Sequence, residues 1–77
     1  MNKVLLKEYL EKFAFDPRTY SLEGGLPTEK YVLEETYGKW CVYYSEKGLR
    51  SGERQFDNEE AACDYFLAIL KSDPTTH

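Results

Sequence analysis

Two β-rich runs separated by Tyr37-Gly38 dominate the middle of this chain and constrain it more than any other feature. They are Lys30-Tyr31-Val32-Leu33-Glu34-Glu35-Thr36 and Lys39-Trp40-Cys41-Val42-Tyr43-Tyr44-Ser45, rich in the branched and aromatic residues that suit a pleated surface. A two-residue connection predicts a hairpin whose register follows from the turn. Thr36 then faces Lys39, Glu35 faces Trp40, Leu33 faces Val42 and Tyr31 faces Tyr44. Side chains alternate along a strand. Tyr31, Leu33, Trp40, Val42 and Tyr44 therefore share one face, and Val32, Glu34, Cys41 and Tyr43 share the other. The first carries the larger apolar set and is expected to face the core.

The flanks supply two helices and a further strand. Leu6, Tyr9, Leu10 and Phe13 fall at helical spacing and predict a helix over 3–13, capped by Asn2 and stopped by Asp16-Pro17. Thr19-Tyr20-Ser21-Leu22-Glu23 reads as a short strand, with Gly24-Gly25 as a turn and Leu26-Pro27-Thr28 as loop. The glycine pair lacks the spacing of a phosphate loop. Glu46-Lys47-Gly48 is expected to turn the chain into a polar edge strand over 49–56, with Arg50 and Arg54 on one face of it. Asp57 with Glu60 matches a capping box. Ala62, Cys63, Phe66, Ile69 and Leu70 form the apolar face of a last helix, closed by Lys71 and Pro74.

Two amphipathic helices need an apolar sheet face, and only one is clearly offered. The expected fold is α+β: an N-terminal helix, a three- or four-stranded antiparallel meander and a C-terminal helix, with both helices on one sheet face. The opposite face is expected to remain at least partly open to solvent. One domain spans 1–77, with an ordered core of 3–72 and a disordered tail over 73–77.

Composition narrows the chemistry. The single histidine is His77, at a terminus that rarely builds a catalytic site. Ser21, Ser45 and Ser51 have no histidine partner for a hydrolase triad. Glu34 and Glu35 are adjacent in a strand and point to opposite faces, so they cannot readily share a proton or a metal. Glu59-Glu60 suits the first turn of a helix. Cys41 and Cys63 fit no zinc spacing and are expected to be reduced and buried. Trp40 is expected to be the central core aromatic. No cofactor or metal is expected, and the chain is not expected to be an enzyme.

The chain of 77 residues carries fourteen acids against ten bases, a net charge of −4, and seven tyrosines. Nucleic-acid binding needs a basic footprint and is disfavoured. Nothing approaches the length of an apolar membrane span or a signal peptide, so a cytoplasmic location and no membrane partner are expected. An acidic, tyrosine-bearing surface suits a basic protein partner.

Three stretches carry a family resemblance over residues 20–70. They are Tyr20-Ser21-Leu22-Glu23-Gly24-Gly25-Leu26-Pro27, then Gly38-Lys39-Trp40-Cys41-Val42-Tyr43-Tyr44-Ser45-Glu46-Lys47-Gly48, then Phe56-Asp57-Asn58-Glu59-Glu60-Ala61-Ala62-Cys63-Asp64-Tyr65-Phe66-Leu67. Together they resemble small bacterial immunity proteins encoded beside secreted polymorphic or contact-dependent toxins. The resemblance implies a non-enzymatic inhibitor that stays in the producing cell and occludes a toxin domain, in many cases a nuclease with a basic cleft. It carries over no binding residue. The expected contact surface is therefore drawn from the sheet alone: Val32, Glu34, Cys41 and Tyr43 on the open face, with Glu35 and Tyr37 at the hairpin tip. The alternative is an interaction module or a phage or host adaptor with another partner.

Overall fold

The computed structural model describes residues 1–24 and 29–76. The expected loop at Leu26-Pro27-Thr28, the second glycine of the Gly24-Gly25 turn and His77 lie outside the described residues. The order is α1 (Lys3–Lys12), β1 (Tyr20–Ser21), β2 (Lys30–Thr36), β3 (Lys39–Glu46), β4 (Leu49–Phe56), α2 (Glu59–Ser72) and a 3₁₀ turn at Pro74–Thr76. The fold is α+β, with sheet order β1-β2-β3-β4.

The central hairpin has the expected register, from Lys30 opposite Ser45 to Thr36 opposite Lys39. Tyr37 (φ 52°) and Gly38 (φ 79°) both occupy the left-handed region, the pair of conformations that matches a tight turn to the twist of its strands. β1 departs from the expected meander. It runs parallel to β2, with Tyr20 beside Tyr31 and Ser21 beside Val32. The chain must therefore return to the start of β2 before that strand begins, and a strand of only two residues keeps that return short.

The helices share the expected face. Leu6 and Leu10 of α1, with Ala62, Cys63, Phe66 and Leu70 of α2, form one buried cluster with Leu33 and Val42. Trp40 and Phe56 are half-buried at its margin. Asn2 caps α1, its Oδ1 accepting from the Leu5 N–H at 2.8 Å. The helix ends earlier than Asp16-Pro17 would dictate. Ala14 turns left-handed (φ 58°), its N–H donates to the Glu11 carbonyl, and the Phe15 N–H reaches back to that of Leu10 at 2.9 Å. This paired closure buries Phe15 beside Leu10 and leaves Phe13 exposed.

Two further expectations are corrected. Asn58, not Asp57, caps α2 by accepting from the Ala61 N–H at 2.8 Å; Asp57 instead pairs with Lys39 of β3. Residues 74–76 of the expected disordered tail are folded back. Thr76 is fully buried, its hydroxyl donating to the carbonyls of Leu70 (2.5 Å) and Asp73 (2.9 Å), while its carbonyl accepts from the Asp16 N–H (2.8 Å). Those bonds satisfy carbonyls that a helix end leaves open.

Candidate functional site

The site begins at β4, where the pairing with β3 carries one extra residue. Val42 is opposite Arg54, but Tyr44 is opposite Ser51. Three β4 steps thus match two on β3, and Gly52 (φ 63°) supplies the left-handed residue of the bulge. A bulge inverts the alternation that follows it. Arg50 and Arg54, expected on one face, lie on opposite faces. Arg54 extends over the ring of Tyr65 on the helix side, 5.5 Å from its centroid. Arg50 extends over Tyr43 on the other side, 4.3 Å from its centroid.

This placement changes the face expected to be open. Val32, Cys41 and Tyr43 form a separate buried cluster, 0%, 6% and 1% exposed. The expectation that they present an accessible surface is corrected. Arg50 covers Tyr43 and pairs with Glu34 (3.1 Å) and Glu53 (2.8 Å). Gly24 closes on the same face: a Cβ built there would come within 2.8 Å of Glu34 Oε1. Burial pushes the Cys41 thiol above its ordinary range, with Glu53 and Glu34 adding to it and Arg50 opposing. The Tyr43 hydroxyl is raised chiefly by burial and then by Glu34. Both are held uncharged near neutral pH. Cys63 lies in the main core, on the other side of the sheet, and both thiols are free.

What remains accessible is the tip and the rim. Glu34, Tyr37, Cys41, Arg50, Glu53 and Gln55 border a shallow depression of about 510 Å³ that opens toward the hairpin tip. Glu34 forms its wall, its side chain only 18% exposed. Glu35 lies opposite Trp40, on the helix side of the sheet, and is exposed. Tyr37 is 99% exposed. The structure therefore brings Glu34, Tyr37 and Cys41 to one depression, sets Glu35 beside the tip but on the other face, and places Val32 and Tyr43 beneath the surface. Among the described residues no three His, Cys, Asp or Glu side chains gather as a metal site requires, and no helix is long and apolar enough to cross a membrane.

Arg50 and Glu53 are the surface residues that strand alternation missed. The signal was Gly52: an isolated glycine inside a strand pattern marks a bulge. Tyr37 was found from the turn alone, yet its conformation adds a further observation. A left-handed backbone costs a non-glycine residue about 1–2 kcal/mol. The second hairpin turns the same way at Lys47 (φ 51°) and Gly48 (φ 79°), but there the side chain is a solvated lysine. At Tyr37 the aromatic ring recovers nothing by packing. No protein-family model, curated protein or solved structure matches the chain.

Proposed function

We propose that the chain is a non-enzymatic immunity protein. On this reading it binds a cognate toxin domain and neutralises it by steric and electrostatic occlusion, through the hairpin tip at Tyr37 and Glu35 and the adjoining Glu34–Arg50–Glu53 rim. The observation that carries the reading is Tyr37: a fully exposed aromatic held in a strained backbone conformation at the tip of a well-registered hairpin. Strain retained without local compensation points to a use outside the fold, and tyrosine is enriched where interfaces concentrate their energy. The net charge of −4 favours encounter with a basic domain such as a nuclease. The resemblance of residues 20–70 to immunity proteins names the class of partner.

The test is to express the tagged chain in its native host, identify what co-purifies in stoichiometric amount, and ask whether the chain protects cells from that protein. The reading predicts a toxin domain encoded next door, with protection lost in Tyr37→Ala. Capture of a housekeeping or phage protein, with no protection from any linked toxin, would establish the adaptor alternative.

A further inference from the structure

A second concavity lies at the β1 edge of the sheet, between α1 and the chain on either side of β1. It holds about 550 Å³, within the range of about 300–1,000 Å³ in which small-molecule sites fall. Val4 of α1 forms one apolar wall, and Pro17, Tyr20 and Leu22 form the other. Leu22 belongs to the main core and is 8% exposed, which fixes the floor. Val4 is 66% exposed. It falls off the helix stripe that buries Leu6 and Leu10, and a branched aliphatic residue gains nothing from a solvated helix surface.

The charges of the cleft are unevenly placed. Lys3, Lys7 and Glu11 follow one another at i, i+4 and i+8 along α1, while Glu23 follows β1 and Lys30 opens β2. Lys3 and Glu23 make a loose ion pair, Nζ to Oε2 3.7 Å. Lys7 and Lys30 make no ion pair among the described residues. Glu11 also makes none, but it marks the far end: with Pro17 and Tyr20 it borders the next depression, where Asp16 is held by Arg18 at 2.9 Å. Three ammoniums thus meet two carboxylates around an apolar wall, an excess of one positive charge in a chain whose net charge is −4.

We propose that this cleft binds a fatty monocarboxylate, its head group held by Lys7 and Lys30 and its chain laid along Val4, Leu22 and Tyr20. Each part of the ligand follows from complementarity. One negative charge matches the excess of the cleft, whereas a dianion would exceed it. An alkyl chain takes the apolar wall out of water together with itself. Glu11 repels a carboxylate at the far end, which sets the direction of binding. The inference does not rest on the immunity reading, since the cleft is separate from the hairpin tip.

The experiment is a nitrogen–proton correlation titration of the full chain at pH 7 with octanoate, set against octanol and octyltrimethylammonium. Octanoate should shift the amides of Val4, Lys7, Ser21 and Leu22 saturably, octanol should bind the same amides more weakly, and the cation should leave them unmoved. Lys7→Gln combined with Lys30→Gln should weaken octanoate about fivefold and leave octanol unchanged. Val4→Ser should weaken both. The amides of Leu33 and Phe66 report an intact core in each variant. Octanol binding as tightly as octanoate, octanoate affinity unchanged in the double lysine variant, or shifts spread over other exposed apolar residues such as Phe13 and Leu49 and absent from the cleft, would each overturn the assignment.

Discussion

Arg50 lies over the ring of Tyr43 with its guanidinium carbon 4.3 Å from the ring centroid, and the same guanidinium holds Glu34 and Glu53. This one side chain does on the helix-free face what a packing element does elsewhere. Its stem and plane cover an aromatic, while its charge neutralises the carboxylates that would otherwise stand beside a buried hydroxyl and thiol. A sheet with helices on one side only has thereby closed a small second core without a third layer.

Arg50→Met is expected to lower the unfolding free energy by about 1–2 kcal/mol, from the lost ring contact and the partly exposed ion pairs. Glu34→Gln added to it should restore part of that loss, because a mostly buried carboxylate no longer lacks its counter-charge. Urea denaturation of the four proteins of this cycle measures the coupling, and 0.5 M salt should reduce it as about 3–10 Å screening lengths apply. A coupling of zero would show that Arg50 acts by coverage alone.

Gly52 decides which face Arg50 occupies. A Cβ there meets nothing within 4 Å, so Gly52→Ala bears only the strain of φ 63°, about 1–2 kcal/mol. Deletion of Gly52 is a different change. It removes the bulge, turns residues 49–51 over and directs Arg50 toward the helix side, leaving Tyr43 uncovered. Thermal melts should show a modest loss for the substitution and a far larger one for the deletion, although the deletion removes no side chain.

That contrast explains what was legible in the sequence. The β2–β3 register followed from a two-residue turn and period-two alternation, both local, and the helix-facing set Leu33 and Val42 came with it. The burial of Val32, Cys41 and Tyr43 did not, because Arg50 covers Tyr43 across a bulge, and Gly24, three residues past a parallel strand, closes against Glu34 on the same face. Both are partners distant in sequence or inverted in phase. The α2 cap was ambiguous for a simpler reason. Asp57 and Asn58 are both good caps, and the choice was made by Lys39, which engages Asp57 from β3. Of the candidate site, the tip at Glu35 and Tyr37 was legible, since a turn residue is exposed whatever packs beneath it.

Thr76 fastens the last turn to the body of the fold. Thr76→Val keeps the buried volume and removes the donor to the Leu70 and Asp73 carbonyls. The expected cost is about 1–2 kcal/mol, the scale of buried carbonyls left without a partner. Removal of residues 74–77 should cost more, since the Asp16 N–H then also loses its acceptor. Hydrogen exchange at Asp16 reads the second effect directly, and unchanged protection there after truncation would contradict it.

Alkaline pH should unfold the chain in a defined window. Burial, and then donation to Asp73, push the Tyr31 hydroxyl up to about 12 from an ordinary 10.0. Burial pushes the Cys63 thiol up to about 11 from 9.0. A raised value in the folded state means that the unfolded chain releases the proton first, so stability falls as pH rises. Both contributions are complete below pH 9.0, Cys63's being lost toward 11 and Tyr31's between 10.0 and 12. Urea midpoints should decline across this range, and Tyr31→Phe should flatten its upper part. A profile unaltered by Tyr31→Phe would remove the tyrosine from the account.

Tyr37 sets stability and binding against each other. Its left-handed conformation beside Gly38 is the one that asparagine tolerates well, and Asn-Gly is the favoured pair for this turn. Tyr37→Asn should therefore raise the unfolding free energy by about 0.5–1 kcal/mol, since the ring it deletes is 99% exposed and packs on nothing. If the tip is the contact surface, the same change should weaken partner binding by at least tenfold, the scale of an interface anchor. Glu35→Lys should instead act on encounter, slowing association at low salt and losing that effect as salt rises. Glu34→Lys is the wrong probe for this purpose, because it sets a second cation against Arg50 and disturbs the small core beneath. Calorimetry and binding kinetics on Tyr37→Asn together decide the matter. A variant that is more stable and binds as well as the parent would place the partner surface away from the hairpin tip.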